Sequence, residues 1–263
     1  MKVVNLSSGS KGNCTYIESS QAKILVDNGL TLIGVESRLN AIGVEANQID
    51  AILLTHEHGD HLYGIKPFLR KYKKAKVYIP AFVQNYAISG ICALPQQQIE
   101  WFVSSDFYIK DITVSSFILP HDSRFCVGYS FIFEGKKISI ATDLGFVSNQ
   151  TLAKLSASDI LFLESNHDET LLQKNPKYTA RLKKRIMSNQ GHLSNVACGR
   201  ALIPLVRSGV KQVVLAHLSE ENNTPILAYN TIKKVLATDG IVEGDHVCVD
   251  VAFQDKIGTI FNF

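Results

Sequence analysis

Ala51-Ile52-Leu53-Leu54 is an unbroken apolar run, and the seven residues after it, Thr55-His56-Glu57-His58-Gly59-Asp60-His61, carry three imidazoles and the carboxylate of Asp60. A short apolar run bounded by polar residues reads as a buried strand. Gly59-Asp60 then lets the chain turn and begin a helix at about His61. His56 and His58 should leave the strand end on one side, with Asp60 and His61 on the turn opposite. Imidazole nitrogen and aspartate oxygen are the ligands zinc and its first-row neighbours prefer, whereas calcium or magnesium recruits more oxygens. The segment therefore reads as a site for two metal ions. The helical His-Glu-x-x-His pattern does not fit, because Asp60 stands where its second histidine belongs and Gly59 interrupts the helix.

Later segments repeat one arrangement, an apolar strand that delivers one polar residue at its C-terminal end. His121 follows Val114 to Leu119 and Pro120, Asp143 follows Lys137 to Thr142, and His217 follows Gln212 to Ala216. With the first cluster already demanding partners, these three are the expected remaining ligands. Glu164 ends the apolar stretch Asp159 to Leu163, and His192 lies in a Gly-His-Leu-Ser loop before a helical pattern.

The chain of 263 residues, 46% hydrophobic, is long enough for one large core or two coupled layers. Strand patterns fall at about 2–6, 14–18, 22–27, 50–54 and 76–79, then at 99–104, 107–119, 127–142, 160–164, 212–216, 246–252 and 257–262. Helical patterns run from Ile33 to Ile42, Tyr63 to Tyr72, Ala81 to Ile88, Asn195 to Val206 and Pro225 to Ala237. Strand groups alternating with helices in two successive halves predict an α/β architecture of two facing sheets with helices outside. No repeat or Pro/Gly-rich linker divides the chain, so residues 1–263 are expected to form one domain. No apolar run is long enough to span a bilayer and no signal-peptide core opens the chain, which predicts a cytoplasmic protein without membrane association. The five cysteines, at 14, 92, 126, 198 and 248, are widely spaced without a Cys-x-x-Cys motif; they read as reduced and mostly buried. A net charge of +3 favours an anionic partner only weakly. Two basic clusters stand out: Arg70 to Lys76, and Lys174 to Arg185, the second just upstream of His192.

The Thr55 to His61 segment, with His121, Asp143 and His217, resembles the metallo-β-lactamase superfamily. Leu6 to Asn13, Leu163 to Glu169, Gly191 to Asn195 and His217 to Asn223 look like the YycJ/WalJ group of bacterial nucleases within it. The resemblance runs from the first residues to about residue 260, with one departure at Ser123-Arg124-Phe125-Cys126. It implies an αββα sandwich of the metallo-β-lactamase type. It also implies two divalent ions, zinc or manganese with iron as a further option, one held by His56, His58 and His121, the other by Asp60, His61 and His217, with Asp143 bridging. A carboxylate like Glu164 and a histidine like His192 serve the leaving group in phosphodiesterases of the superfamily, which makes Asp60, His192 and Glu164 the expected catalytic set. His167, Ser194, Asn195, Arg181, Lys183, Lys184 and Arg185 are the expected substrate contacts. The short interval from Asp143 to His192 leaves no room for the large inserted domain of the RNase J relatives, and no obligate protein partner is evident. The implied activity is a 5′-to-3′ exonuclease on nucleic acid, DNA rather than RNA. A ribonuclease, or a small-molecule cyclic phosphodiesterase or thioesterase, is the alternative.

Overall fold

The structure, a computed structural model, describes residues 1–263. Its contacts divide the chain into two compact units. Unit 1 holds residues 1–115, 123–125 and 253–263; unit 2 holds residues 116–122 and 126–252.

In unit 1 the elements run β1 (Lys2–Ser7), β2 (Cys14–Glu18), β3 (Lys23–Val26), α1 (Leu32–Ala41), β4 (Ala51–Leu53), α2 (Gly59–Leu62), α3 (Ile65–Lys71), β5 (Lys76–Pro80), α4 (Ser89–Cys92), β6 (Ile99–Phe102) and β7 (Asp106–Ile109). Strand β8 (Ile112–Ile118) begins here, pairing antiparallel with β7 around the turn at Lys110-Asp111, and its last residues count with unit 2. Unit 2 continues with β9 (Val127–Phe133), β10 (Lys136–Ala141), α5 (Asn149–Leu155), β11 (Ile160–Glu164), α6 (Glu169–Lys174), α7 (Ala180–Ile186), α8 (Asn195–Arg207), β12 (Gln212–Ala216), α9 (Pro225–Ala237) and β13 (Cys248–Val251). The chain then returns to unit 1 for β14 (Ile260–Asn262).

The sheet of unit 1 is ordered β14-β1-β2-β3-β4-β5-β6, antiparallel from β14 to β3 and parallel from β3 to β6. Parallel strands are buried on both faces and read as continuous apolar runs. Strand β4 is buried at all three positions. Helices α1 and α3 bring Val35, Leu39, Phe68 and Leu69 against Leu25, Ile52 and Val77. The second sheet is mixed: β13, β12, β11 and β10 are parallel neighbours, β9 is antiparallel to β10, and β8 and then β7 complete the order. Its core joins Leu161, Leu163 and Leu215 of the strands to Cys198, Leu202 and Ile232 of α8 and α9.

The sequence pattern and the structure part in a few places. The stretch 127–142 is a hairpin whose loop residues, Glu134 and Gly135, both take positive φ (50° and 74°), the backbone demanded by a tight two-residue turn. Ala81 to Ile88 is not a regular helix, only a single 3₁₀ turn over Ala81–Val83. Val83 is the one fully buried residue of that stretch, too little apolar burial to offset the cost of helix nucleation. Helix α2 starts at Gly59 rather than at His61, so Asp60 and His61 lie inside its single turn. Helices α5, α6 and α7 have six or seven residues each, too short to show a period, although Ser148, Asp168 and Thr179 cap them. No helix is long and apolar enough to cross a membrane. Cys14, Cys126 and Cys198 are buried, Cys92 and Cys248 are exposed, and none forms a disulfide.

Candidate functional site

In unit 1 the parallel pairing of β3 with β4, Val26 opposite Leu53, brings the residues after both strands to one edge. Asp27, directly after β3, sits at φ 59° and is buried. A non-glycine residue held in this region carries backbone strain, which concentrates at functional sites. The Asp27 carboxylate accepts Thr55 N (2.8 Å), the Thr55 hydroxyl (2.8 Å) and His61 Nδ1 (2.7 Å). An ionised carboxylate only accepts, so His61 Nδ1 carries the proton and Nε2 keeps its lone pair. The single hydroxyl proton of Thr55 is directed at Asp27, so its oxygen accepts His56 Nδ1 at 3.0 Å and the His56 lone pair is also left on Nε2. Side-chain partners that set a tautomer in this way accompany metal-binding histidines. The His56 ring lies 4.6 Å from that of His58 and 4.1 Å from that of His61, centroid to centroid.

Asp60 and His61 are clamped from behind. Asn13 N donates to Asp60 O at 2.8 Å, and Asn28 N to His61 O at 2.9 Å. The Asn13 amide donates to Asp60 Oδ2 at 3.2 Å and lies 3.0 Å from His61 Nε2. Gly29 packs so tightly on this turn that a Cβ there would lie 1.7 Å from Asp60 O. Asp27 and Asn13 were both missed by reasoning from spacing. An isolated Asp or Asn after a strand is common, and only the parallel β3–β4 neighbourhood distinguishes Asp27.

In unit 2, β10, β11 and β12 run parallel, with Ala141 opposite Leu163 and Glu164 opposite Ala216. Asp143, Glu164 and His217 therefore emerge at the carboxyl ends of three neighbouring strands, where ligand sites of parallel sheets form. Asp143 and His217 both take positive φ, 63° and 56°. Glu164 is fully buried. Its Oε1 accepts His192 Nδ1 at 2.8 Å and His217 Nδ1 at 2.7 Å, while Oε2 accepts Leu144 N at 3.1 Å and Leu193 N at 3.0 Å. The carboxylate thus acts through two imidazoles and cannot itself reach a substrate. His121 Nδ1 donates to Gly191 O at 3.2 Å, which places its ring lone pair on Nε2. His217 Nδ1 lies 3.3 Å from Asp143 Oδ1. Candidate ligand atoms of Asp143, Glu164, His192 and His217 all fall within 4.8 Å of one another.

Electrostatics separate these histidines. Burial depresses the pKa of His121 despite the neighbouring Asp143, which keeps the ring neutral and able to ligate. Burial also opposes a charge on His192, but the attraction and hydrogen bond of Glu164 outweigh it and hold that pKa above its ordinary value. Glu164 in turn is held below the usual carboxylate range: burial works against its charge, and His192 and His217 more than compensate. His192 keeps part of its ring open to solvent, whereas Glu164 is fully enclosed.

The expected substrate contacts divide. His167 is buried, burial lowers its pKa, and its Nδ1 has no hydrogen-bond partner. Ser194 caps α8 and donates to Glu169 at 2.8 Å. Asn195, expected to touch substrate, is instead fully buried in a reciprocal amide pair with Asn223 (3.0 and 2.9 Å), and Ser165 donates to it at 2.7 Å. Arg181 and Lys184 are exposed on α7, a helix with no buried residue; Lys183 donates to Gln173 O and Arg185 pairs with Asp122. The end of α7 is tied to His192, whose N–H donates to Ile186 O at 2.9 Å.

Comparison with known proteins agrees with this chemistry. The family model described as Beta-lactamase superfamily domain matches residues 22–218. A Streptococcus pneumoniae serotype 2 (strain D39) protein named exodeoxyribonuclease WalJ is 36% identical over 235 residues, covering 88% of this chain and 87% of its own. Exodeoxyribonuclease YycJ of Bacillus anthracis is 33% identical over 241 residues, 91% of this chain and 90% of its own. The metallo-β-lactamase fold protein YhfI of Bacillus subtilis superposes with a TM-score of 0.72 at 16% identity, over 99% of this chain and 98% of that one. The fold is thus the αββα metallo-β-lactamase type, and that fold with these buried His and Asp donors fits a dinuclear divalent-metal site.

Proposed function

We propose that this chain, which belongs to the metallo-β-lactamase superfamily and within it to the YycJ/WalJ nuclease group, is a metal-dependent 5′-to-3′ exonuclease acting on DNA. The observation that carries the reading is the sharing of one Glu164 oxygen between His217, an expected ligand, and His192, an expected acid. Lactam or thioester hydrolysis has less need of such an acid than release of a sugar oxygen, a poor leaving group that must be protonated.

On this reading His56, His58 and His121 hold one ion, Asp60, His61 and His217 the other, and Asp143 serves both, so residues 1–263 work as one functional domain. Bound divalent ions would supply a hydroxide near neutral pH and polarise the phosphoryl oxygen. The imidazole-rich donor set favours zinc, with iron a further option, and the carboxylates of Asp60 and Asp143 admit manganese. Asp27 keeps His61, and Thr55 keeps His56, in the ligating tautomer, and Glu164 does the same for His217. His192, charged by its contact with Glu164, delivers a proton from Nε2 to the departing oxygen. A cytoplasmic setting accords with cysteines that form no disulfide and with the DNA substrate.

The test uses duplex and single-stranded oligonucleotides labelled at either end, with zinc and with manganese. Bis-p-nitrophenyl phosphate and an acyl thioester serve as controls. A ladder shortening from the 5′ end of DNA is the expected result. Shortening from the 3′ end would reverse the polarity, degradation of RNA alone would make the protein a ribonuclease, and turnover of the controls alone would leave a small-molecule hydrolase.

A further inference from the structure

Beside Asp60, unit 1 contains an open cleft of about 380 Å³ lined by Lys11, Gly29, Thr31, Arg38 and Tyr63 among others. That volume is within the range of about 300–1,000 Å³ typical of small-ligand pockets. Lys11 and Arg38 are the basic residues of its lining, and Asp60 is its one carboxylate. The Arg38 guanidinium has no carboxylate partner; its Nη2 donates to the backbone carbonyl of Gln254 at 3.3 Å. It lies over the first turn of α1, where Gly34 has no side chain to fill the space: a Cβ there would come 3.6 Å from Arg38 Nη1 and 3.0 Å from the capping Thr31 hydroxyl. The positive end of the ten-residue helix adds to the same field.

Gln254 ties the two basic segments together, through the Lys11 backbone and the Arg38 guanidinium. Gln254 Oε1 accepts Lys11 N at 2.8 Å, Gln254 Nε2 donates to Ser7 Oγ (2.9 Å) and Gly12 O (3.0 Å), and the Gln254 carbonyl takes Arg38. An arginine fork matches a phosphate group in both shape and charge.

We propose that the Lys11–Arg38 cleft beside Asp60 is a subsite for a phosphate group of the DNA strand being degraded. The inference rests on the nuclease reading and adds to it a specific pair of residues outside the metal ligands and the His192 loop. Gln254 is the positioning residue of the pair.

The experiment measures KM and kcat of the metal-loaded enzyme on 20-mer duplexes bearing either a 5′-phosphate or a 5′-hydroxyl, across a range of salt concentrations. Wild type, Arg38→Ala, Arg38→Lys and Lys11→Ala are compared. Removing a charge-assisted hydrogen bond should raise KM on the order of ten-fold in Arg38→Ala, with kcat nearly unchanged and partial recovery in Arg38→Lys. Each phosphate that is no longer neutralised should also flatten the slope of log KM against log salt by about 0.9. An effect on the 5′-phosphorylated duplex alone assigns the cleft to a terminal phosphate, and an effect on both duplexes assigns it to a backbone phosphate; either supports the subsite. Lys11 is exposed and its removal leaves the core intact, so Lys11→Ala decides the matter if Arg38→Ala does not fold. Unchanged KM and salt slope on both duplexes would overturn the subsite while the nuclease reading stands. A wild-type protein that leaves DNA intact would overturn both.

Discussion

His192 and His217 divide a single buried oxygen of Glu164 between them, and their opposite surroundings give them different work. His217 is buried beside Asp143, whereas His192 keeps an opening to solvent and a raised pKa. His192→Ala should therefore retain its metal, measured by elemental analysis, and lose ~10²–10⁴-fold of its rate on DNA, the usual worth of a general acid. It should lose far less on bis-p-nitrophenyl phosphate, whose leaving group needs no proton; equal losses on both substrates would remove His192 from that role. The pH profile gives a second check. Because the Glu164 charge raises the His192 pKa against the effect of burial, the acid stays protonated above the ordinary imidazole range, and activity should fall only as pH rises through that elevated value. Glu164→Gln removes the charge, so the alkaline limb of kcat/KM should move to lower pH. If the limb does not move, the titrating acid lies elsewhere.

Among the elements, the two basic clusters differ in how their charges are spent. In the first, Lys71 pairs with Glu36, Lys74 with Asp50 and Lys76 with Glu100. Helix α7 carries Arg181, Lys183 and Lys184, with only Arg185 paired, to Asp122; it has no buried face, and its last turn is joined to the His192 backbone. Lys183→Ala/Lys184→Ala should accordingly lower the slope of log affinity against log salt on duplex DNA by about 0.9 for each phosphate left without its lysine, measured on metal-free protein. Lys73→Ala/Lys74→Ala should leave the slope unchanged; an effect confined to that pair would shift the DNA path to the other cluster. Helix α7 is also where sequence reading loses resolution. Its charges are conspicuous in the chain, but seven residues without an apolar stripe offer no helical period.

For the molecule as a whole, the expected ligands are contributed by segments far apart in the chain, from His56 to His217, so metal binding should contribute directly to stability. Each ion present at about 100 times its dissociation constant would add about 2.7 kcal/mol, or roughly 5–10 °C in a chain of this size. Chelation should lower the thermal midpoint by that amount and zinc or manganese should restore it; a midpoint indifferent to chelator would deny the structural coupling. Asp143→Ala should show the same fall with reduced metal content. Much of this was legible from residues alone. The strand before His56, the strand-end positions of His121, Asp143 and His217, and the helices beginning at Asn195 and Pro225 follow from local apolar patterns and their end signals, which act over a few neighbours in sequence. Only the tertiary structure could bring Asp27 to Thr55 and His61, bury Glu164 between two imidazoles, withdraw Asn195 into its pair with Asn223, or hang Lys11 and Arg38 on Gln254. Those interactions join residues up to 243 positions apart. They arise from strand neighbourhood and buried hydrogen bonding, for which the chain carries no local periodic signal.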